Sequence, residues 1–340
     1  VKKDYANLQF FIGIDVSKAT LDLTLRDAAQ VCDYLKIDND QASIGQCLGQ
    51  WQAQYGFQAD QCLVCLENTG RYMNVLLRTL CMQAFALWVE NALAIKRSAG
   101  LQRGKNDKAD AHRIAEYAFR HRDKAVLYRP AGDSLEKLKV LQAGREQLLN
   151  TKQRLFTDLK ESRCCQPLKL YQLQAQSYLP IIDILDKQIK ELDSQMEQVI
   201  SEDENLAHLQ RIVCSVPGVG KVTSVALLLA TQGFTKFSSA KKLACYCGVV
   251  PFEYSSGSSV RGKTRLSPFA HKGLKSLLHM CAMVAIQQEG YLKTFYQRKV
   301  AQGKAKMSAL NAVKNKIIQR IMALVRDGRT YEKNRAFVLA

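Results

Sequence analysis

Gln9-Phe-Phe-Ile-Gly13-Ile-Asp15-Val-Ser-Lys-Ala-Thr-Leu21-Asp-Leu23-Thr-Leu25 is the stretch that decides the fold. Aromatic and β-branched residues crowd positions 9–16, and after Ser17-Lys18 the residues from Leu21 to Leu25 alternate with period two. The first segment reads as a buried strand and the second as its half-buried antiparallel partner. Working outward, a third strand is predicted over 31–37, a polar helix over 41–54 and an apolar strand over 62–67 (CLVCLE). A helix at 71–82, a short strand at 84–89 and a helix from Asp107 to about His121 follow. Three meandering strands followed by alternating helices and strands make an α/β layered domain.

From Leu135 the pattern turns helical. Leu141, Leu148, Leu155 and Leu159 form one apolar seam, and Leu185, Ile189, Leu192, Met196 and Val199 form another, stepping four and three. These are heptad seams of a helical hairpin or coiled coil, and Pro167 and Pro180 between them fit the turn of an antiparallel pair. Further on, Leu209 to Lys221 contains Val216-Pro-Gly-Val-Gly220 ahead of the helical run TSVALLLAT. Helix, Pro-Gly-hydrophobe-Gly turn and helix is the pattern of a helix-hairpin-helix, whose glycines let backbone N–H groups approach a phosphate.

Charge divides the chain unevenly. Residues 1–205 hold 27 basic and 27 acidic side chains, whereas residues 206–340 hold 22 basic and 4 acidic ones, so the entire formal charge of +18 sits in the last segment. A folded segment so unbalanced repels itself unless a polyanion offsets it, and nucleic acid is the commonest polyanion. The 11 cysteines are expected as reduced thiols, since residues 1–10 lack the apolar core of a secretory leader. Cys62 and Cys65 lie in an apolar run and read as core hydrophobes rather than zinc ligands. No apolar run approaches the ~20 residues of a membrane span, and a cytoplasmic, nucleoid-associated protein is expected.

Two constellations carry candidate chemistry. Asp15 and Glu67 close predicted strands, and Asp107 and Asp110 stand three apart at the start of a predicted helix. Carboxylates gathered in one place repel unless a divalent cation holds them, and an oxygen-only set selects a hard ion such as Mg²⁺. Taken singly, Asp107 is equally an N-cap and Glu67 a turn residue before Asn-Thr-Gly. The second constellation is Ser255-Ser256-Gly257-Ser-Ser-Val-Arg261-Gly-Lys263-Thr-Arg265, which joins hydroxyls to three cations. A serine without a nearby histidine but flanked by Arg and Lys suits phosphate chemistry, because those cations stabilise charge developing on phosphorus oxygens.

Gly13-Ile-Asp15-Val-Ser-Lys, Leu66-Glu67-Asn-Thr-Gly70, Lys105-Asn-Asp107-Lys-Ala-Asp110-Ala, Val216-Pro-Gly-Val-Gly220, Phe237-Ser-Ser-Ala-Lys-Lys-Leu-Ala-Cys-Tyr-Cys-Gly248 and Ser255-Ser-Gly257 occur in this order. In that order the chain resembles the bridge-RNA-guided insertion-sequence transposases related to the Piv DNA invertase, from residue 9 to about residue 290. The resemblance implies an α/β RNase H-like (RuvC-like) N-terminal domain over 1–125. A helical coiled-coil hairpin over 126–205 and a mainly α-helical C-terminal transposase domain with a helix-hairpin-helix element over 206–340 complete it. It implies Mg²⁺ bound by Asp15, Glu67, Asp107 and Asp110, and a nucleophilic serine directly before Gly257, which is Ser256 with Ser255 beside it. The implied partners are donor and target DNA and a structured guide RNA, with strands joined through phosphoserine in a homo-oligomer, dimer or tetramer. Lys105, Lys221, Arg261, Lys263, Arg265, Lys272 and Lys275 are the expected nucleic-acid contacts. Two rival readings stand beside this one: a metal-dependent junction resolvase in which water attacks, and a non-catalytic nucleic-acid-binding scaffold.

Overall fold

The computed structural model describes residues 7–98, 100, 106–256 and 260–332. They form two compact units by contact, one ending at Pro130 and the other beginning at Ala131. The first is built on a five-stranded mixed sheet of order β3-β2-β1-β4-β5. Strands β1 (Phe10–Val16), β2 (Thr20–Arg26) and β3 (Val31–Asp38) make an antiparallel meander. Helix α1 (Gln41–Tyr55) leads to β4 (Cys62–Glu67), which runs parallel to β1, and α2 (Asn74–Met82) leads to β5 (Ala86–Glu90), parallel to β4. Helices α3 (Ala92–Ser98) and α4 (Asp107–Arg120) complete the unit.

Side chains alternate across a strand, so each central strand serves two cores. Ile12, Ile14, Leu21, Leu23, Val64 and Leu66 pack with Leu48 and Trp51 of α1 and Leu76 and Leu80 of α2. Phe11, Leu63, Cys65 and Trp88 pack on the other face with Ile114 and Ala118 of α4. Burial on both faces is why β1 and β4 read as continuous apolar runs rather than alternating ones. It also settles the cysteine pair: Cys62 belongs to the first core and Cys65 to the second, so the two thiols lie on opposite faces and cannot share an ion. Burial pushes both thiols up.

Gly13 lets α4 dock closely. A Cβ built there would lie 2.1 Å from the Ala115 backbone nitrogen and 2.4 Å from the Ala111 carbonyl oxygen. Only a small-residue seam, Gly13 against Ala111 and Ala115, allows this approach. Gly13→Ala is therefore expected to displace α4 and lower stability by about 1–3 kcal/mol, the usual cost of overpacking. Thermal melting checks this, and an unchanged midpoint would show that the seam has slack.

The second unit is mostly helical. Helices α5 (Asp133–Cys165) and α6 (Leu168–Glu202) form an antiparallel pair, tied across by Arg145 to Asp193 at 2.5 Å and by Lys152 to Asp186. The turn lies at Gln166-Pro167 alone. Pro180, expected in that turn, sits inside α6, where the first apolar turns after Leu168 already pack Tyr171 and Ala175 against Leu159. Met196 and Ile200 of α6 and Leu138 of α5 join a core with α7 (Glu204–Ser215) and α8 (Lys221–Thr231). Beyond lie α9 (Ala240–Tyr246), the antiparallel hairpin β6 (Pro251–Ser256) and β7 (Val260–Leu266), then α10 (Lys272–Gln287), α11 (Tyr291–Ala301) and α12 (Lys306–Asp327). Leu227, Leu243, Leu278, Val313, Ile317 and Ile321 are fully buried in the core these helices share. No helix among the described residues is long and apolar enough to cross a membrane.

Candidate active site

Strand register sets a row of charged residues across the first sheet. Lys36 pairs with Asp22, and Asp22 pairs with Asp15. The β1–β4 ladder pairs Ile14 with Leu66, so its next step sets Asp15 beside Glu67, and Glu67 pairs with Glu90. Five neighbouring strands thus present Lys36, Asp22, Asp15, Glu67 and Glu90 at one level. Asp15 has the parity of Gly13, and Glu67 that of Cys65, so the row lies on the α4 face of the sheet.

Helix α4 adds two more carboxylates. Asn106 caps it, accepting a hydrogen bond from the Lys108 N–H at 2.9 Å, so Asp107 is not the cap. Asp107 and Asp110 both fall in the first turn, where the helix dipole favours anions. The Lys36 ammonium lies 3.3 Å from Asp22 and 3.9 Å from Asp107, and Asp110 pairs with Arg113 at 2.5 Å. Asp22 is nearly fully buried and accepts a hydrogen bond from the Tyr34 hydroxyl, which pushes Tyr34 up to about 12.

Asp15 is the electrostatic centre of this group. Burial first, and then the negative fields of Asp110, Asp107, Glu67 and Asp22, together raise its carboxyl to about 6. The four carboxylates expected from the sequence therefore share one field. Among the described residues, however, no three His, Cys, Asp or Glu side chains converge closely enough to hold an ion. What fits a divalent cation is the chemistry: hard oxygen donors from β1, β4 and α4 whose mutual repulsion such an ion would relieve.

Asp22, Glu90, Lys36 and Tyr34 were not singled out from the sequence. A signal for Asp22 was present, since in Leu21-Asp-Leu23 it stands opposite to the leucines and so faces the second layer. Glu90 and Lys36 carry no comparable local sign, because only the pairing register brings them to this level. Asp22→Asn keeps the volume and removes the charge opposite Asp15. It is expected to lower activity by about 10–100-fold, the range for groups that support metal ligands, and unchanged strand-joining rates would remove Asp22 from the site.

In the second unit Ser256 ends β6 and pairs with Val260 across the hairpin, and Ser255 pairs with Arg261. The side chains of Ser255, Ser256, Arg261, Lys263 and Arg265, and all of Lys105 and Gly257, lie outside what is described. Lys272 is exposed at the start of α10 and Lys275 is half-buried one turn on. Lys221 makes an ion pair with Glu197 at 2.6 Å, so a phosphate there must compete with a carboxylate. The two helices expected on either side of the Pro-Gly turn are α7 and α8. Gly218 has φ +84°, and a Cβ there would lie 2.2 Å from the Cys281 carbonyl oxygen, so this glycine serves close packing on α10. Gly220 alone of the two is open, at the N-cap of α8.

Comparison with known proteins finds two matched stretches, the first of which runs past Pro130 into α5. A DEDD-type IS110 transposase model matches residues 12–162, and the model described as Transposase IS116/IS110/IS902 family matches residues 210–297. Both models describe transposases of the IS110 kind, and each spans less than half of the chain. The chain is 28% identical over 330 residues to the pilin gene-inverting protein of Moraxella bovis, covering 95% of this chain and 98% of that protein. The pilin gene-inverting protein of Moraxella lacunata is equally similar, at 28% over 330 residues. A 43.6 kDa protein of insertion element IS110 from Streptomyces coelicolor is 32% identical over 124 residues, covering 36% of this chain and 30% of that protein. The transposase is thus an enzyme of DNA recombination, and its DEDD-type domain points to use of a divalent metal.

Proposed function

We propose that this transposase breaks and rejoins DNA through a serine ester at Ser256, with Mg²⁺ held by Asp15, Glu67, Asp107 and Asp110 of a RuvC-like, RNase H-like domain, under the direction of a structured RNA. The observation that supports it most is the level row of carboxylates on the α4 face, with Asp107 and Asp110 sharing its field. When bound, the ion polarises the phosphodiester and offsets charge that develops on its oxygens. The chain's own residues do the rest. Asp15 and Glu67 are set by strands and Asp107 and Asp110 by a helix start, so the donors are fixed by rigid elements.

The step balances without an external energy source. The Ser256 oxygen bonds to phosphorus as one phosphorus–oxygen bond of the strand breaks, and the departing strand takes as its hydroxyl proton the one the serine loses. A phosphodiester is replaced by another, so rejoining is the same reaction reversed onto a different strand. Cations on β7 and at the start of α10 suit the phosphate backbone. Sequence choice by base pairing asks the protein for many backbone contacts and few base readers, which agrees with the +18 carried by residues 206–340. The division into domains 1–125, 126–205 and 206–340, and assembly of more than one copy through the heptad seams of 126–205, belong to the same proposal.

Purifying the transposase with its nucleic acid and sequencing the RNA tests the guided part. A single structured RNA is expected, and RNase-treated protein should lose recombination. Full recombination after RNase treatment would overturn the RNA role and leave the serine chemistry standing.

A further inference from the structure

Lys314 is a largely buried lysine with no acidic partner among the described residues. It lies in α12 with 5% of its surface exposed, between Val313 and Ile317 of the core. It has no hydrogen-bond or ion-pair partner among the described residues. Burial lowers its ammonium from the ordinary value, and the positive charge of Lys275 lowers it further. A lysine held largely out of water without an acid to pair with is costly to keep, and the field of a second lysine makes it more so. Two like charges held together in a segment with 22 basic and 4 acidic residues are complementary to an anion.

The surroundings place this pair at the root of the β6–β7 hairpin. The Lys275 stem lies beside Gly248, with its Cδ 3.6 Å from where a Cβ would be. Asn311, one turn before Lys314 on α12, donates its side-chain amide to the Val249 carbonyl at 2.7 Å. Helices α10 and α12 are thus fastened to the turn that feeds β6. The Oδ1 of Asn311, one turn from Lys314 on α12, is buried without a hydrogen-bond partner. Two lysines and such an acceptor suit a phosphodiester with a bound water.

We propose that Lys314 and Lys275 form a phosphate site for the DNA strand at the root of the hairpin, gripping a phosphodiester that flanks the one at Ser256. The identity of the strand rests on the reading of Ser256 as the DNA-joining residue, whereas the anion site itself does not. Val249 is seven residues from Ser256. At ~3.3 Å per extended residue the two are at most ~23 Å apart. That is up to about seven nucleotide steps of duplex at ~3.4 Å each. Within that reach the site is assigned to a phosphate flanking the reacting one.

The test is the salt dependence of binding by the full-length transposase to a short random-sequence DNA duplex and to a single-stranded RNA. Lys314→Met should reduce the slope of log K against log salt on DNA by about 0.9, one phosphate contact. The RNA slope should stay unchanged. Lys314→Arg should keep the wild-type DNA slope, because it keeps the charge. The melting temperature of Lys314→Met should hold or rise, since an unpaired buried charge is replaced by an apolar chain. An unchanged DNA slope, or a change on RNA instead of DNA, overturns the proposal. If Lys314→Met does not fold, Lys275→Gln at the half-buried partner must show the same loss of slope on DNA, or the proposal fails. Ser256→Ala reports on adduct formation and not on this slope, so the two readings fail separately.

Discussion

Ser256→Ala transposase is expected to bind DNA with nearly unchanged affinity and to form no covalent joint. One hydroxyl contributes little to a contact surface dominated by cations, whereas removal of the proposed nucleophile leaves nothing to bond to phosphorus. The loss in strand joining should approach 10⁶-fold, roughly the scale seen when an enzyme loses its nucleophile. Trapping the protein–DNA ester on a denaturing gel measures it. An ester that persists in Ser256→Ala and disappears in Ser255→Ala would move the chemistry by one residue along β6. An ester absent from the wild type as well would favour water as the attacking group.

Loss of a carboxylate should be nearly as severe. Asp15→Ala and Asp110→Ala each remove one donor from the set proposed to hold Mg²⁺, an ion that demands near-octahedral oxygen ligation. Losing a group that merely supports a ligand costs about 10–100-fold, so losing a ligand should exceed that. Asp15 carries the further expectation that it is the group most relieved by a cation, because burial and four neighbouring carboxylates all oppose its charge. Mg²⁺ titration of strand joining checks both variants. Wild-type activity in excess EDTA would falsify the metal reading outright.

Much of the first unit was legible because its strands announce themselves. The run from Phe10 to Val16 and the alternation from Leu21 to Leu25 are set by which faces are buried, and the five strands fall within two residues of where the pattern puts them. The four candidate ligands were legible as strand ends and a helix start, and through the family resemblance. Asp22, Glu90 and Lys36 were not, because pairing register is a long-range property that no local pattern encodes. The β6–β7 hairpin was missed for a different reason. Ser255-Ser-Gly-Ser-Ser reads as a loop by composition, and neither flank carries the apolar alternation that marks a half-buried strand. Pro180 was misplaced because proline normally ends a helix, and packing along α6 overrode that preference. Lys314 escaped notice as one lysine among many, since only the packing of α12 buries it.

The level row across the sheet has a consequence for how this chain can vary. Because side chains alternate, inserting or deleting one residue inside β1, β2 or β4 would swing every acid beyond it to the opposite face. There it would meet Leu48, Trp51 and Leu76 in a core with no polar partner to offer. Substitutions that keep strand length can be absorbed one position at a time, but a change of length cannot. The turns at Ser17–Ala19 and Asp27–Gln30 lie between the strands and are free of this constraint only if they grow without shifting the pairing. Among functioning relatives, then, gaps should accumulate in those turns and be absent from the three strands, even where the residues themselves differ.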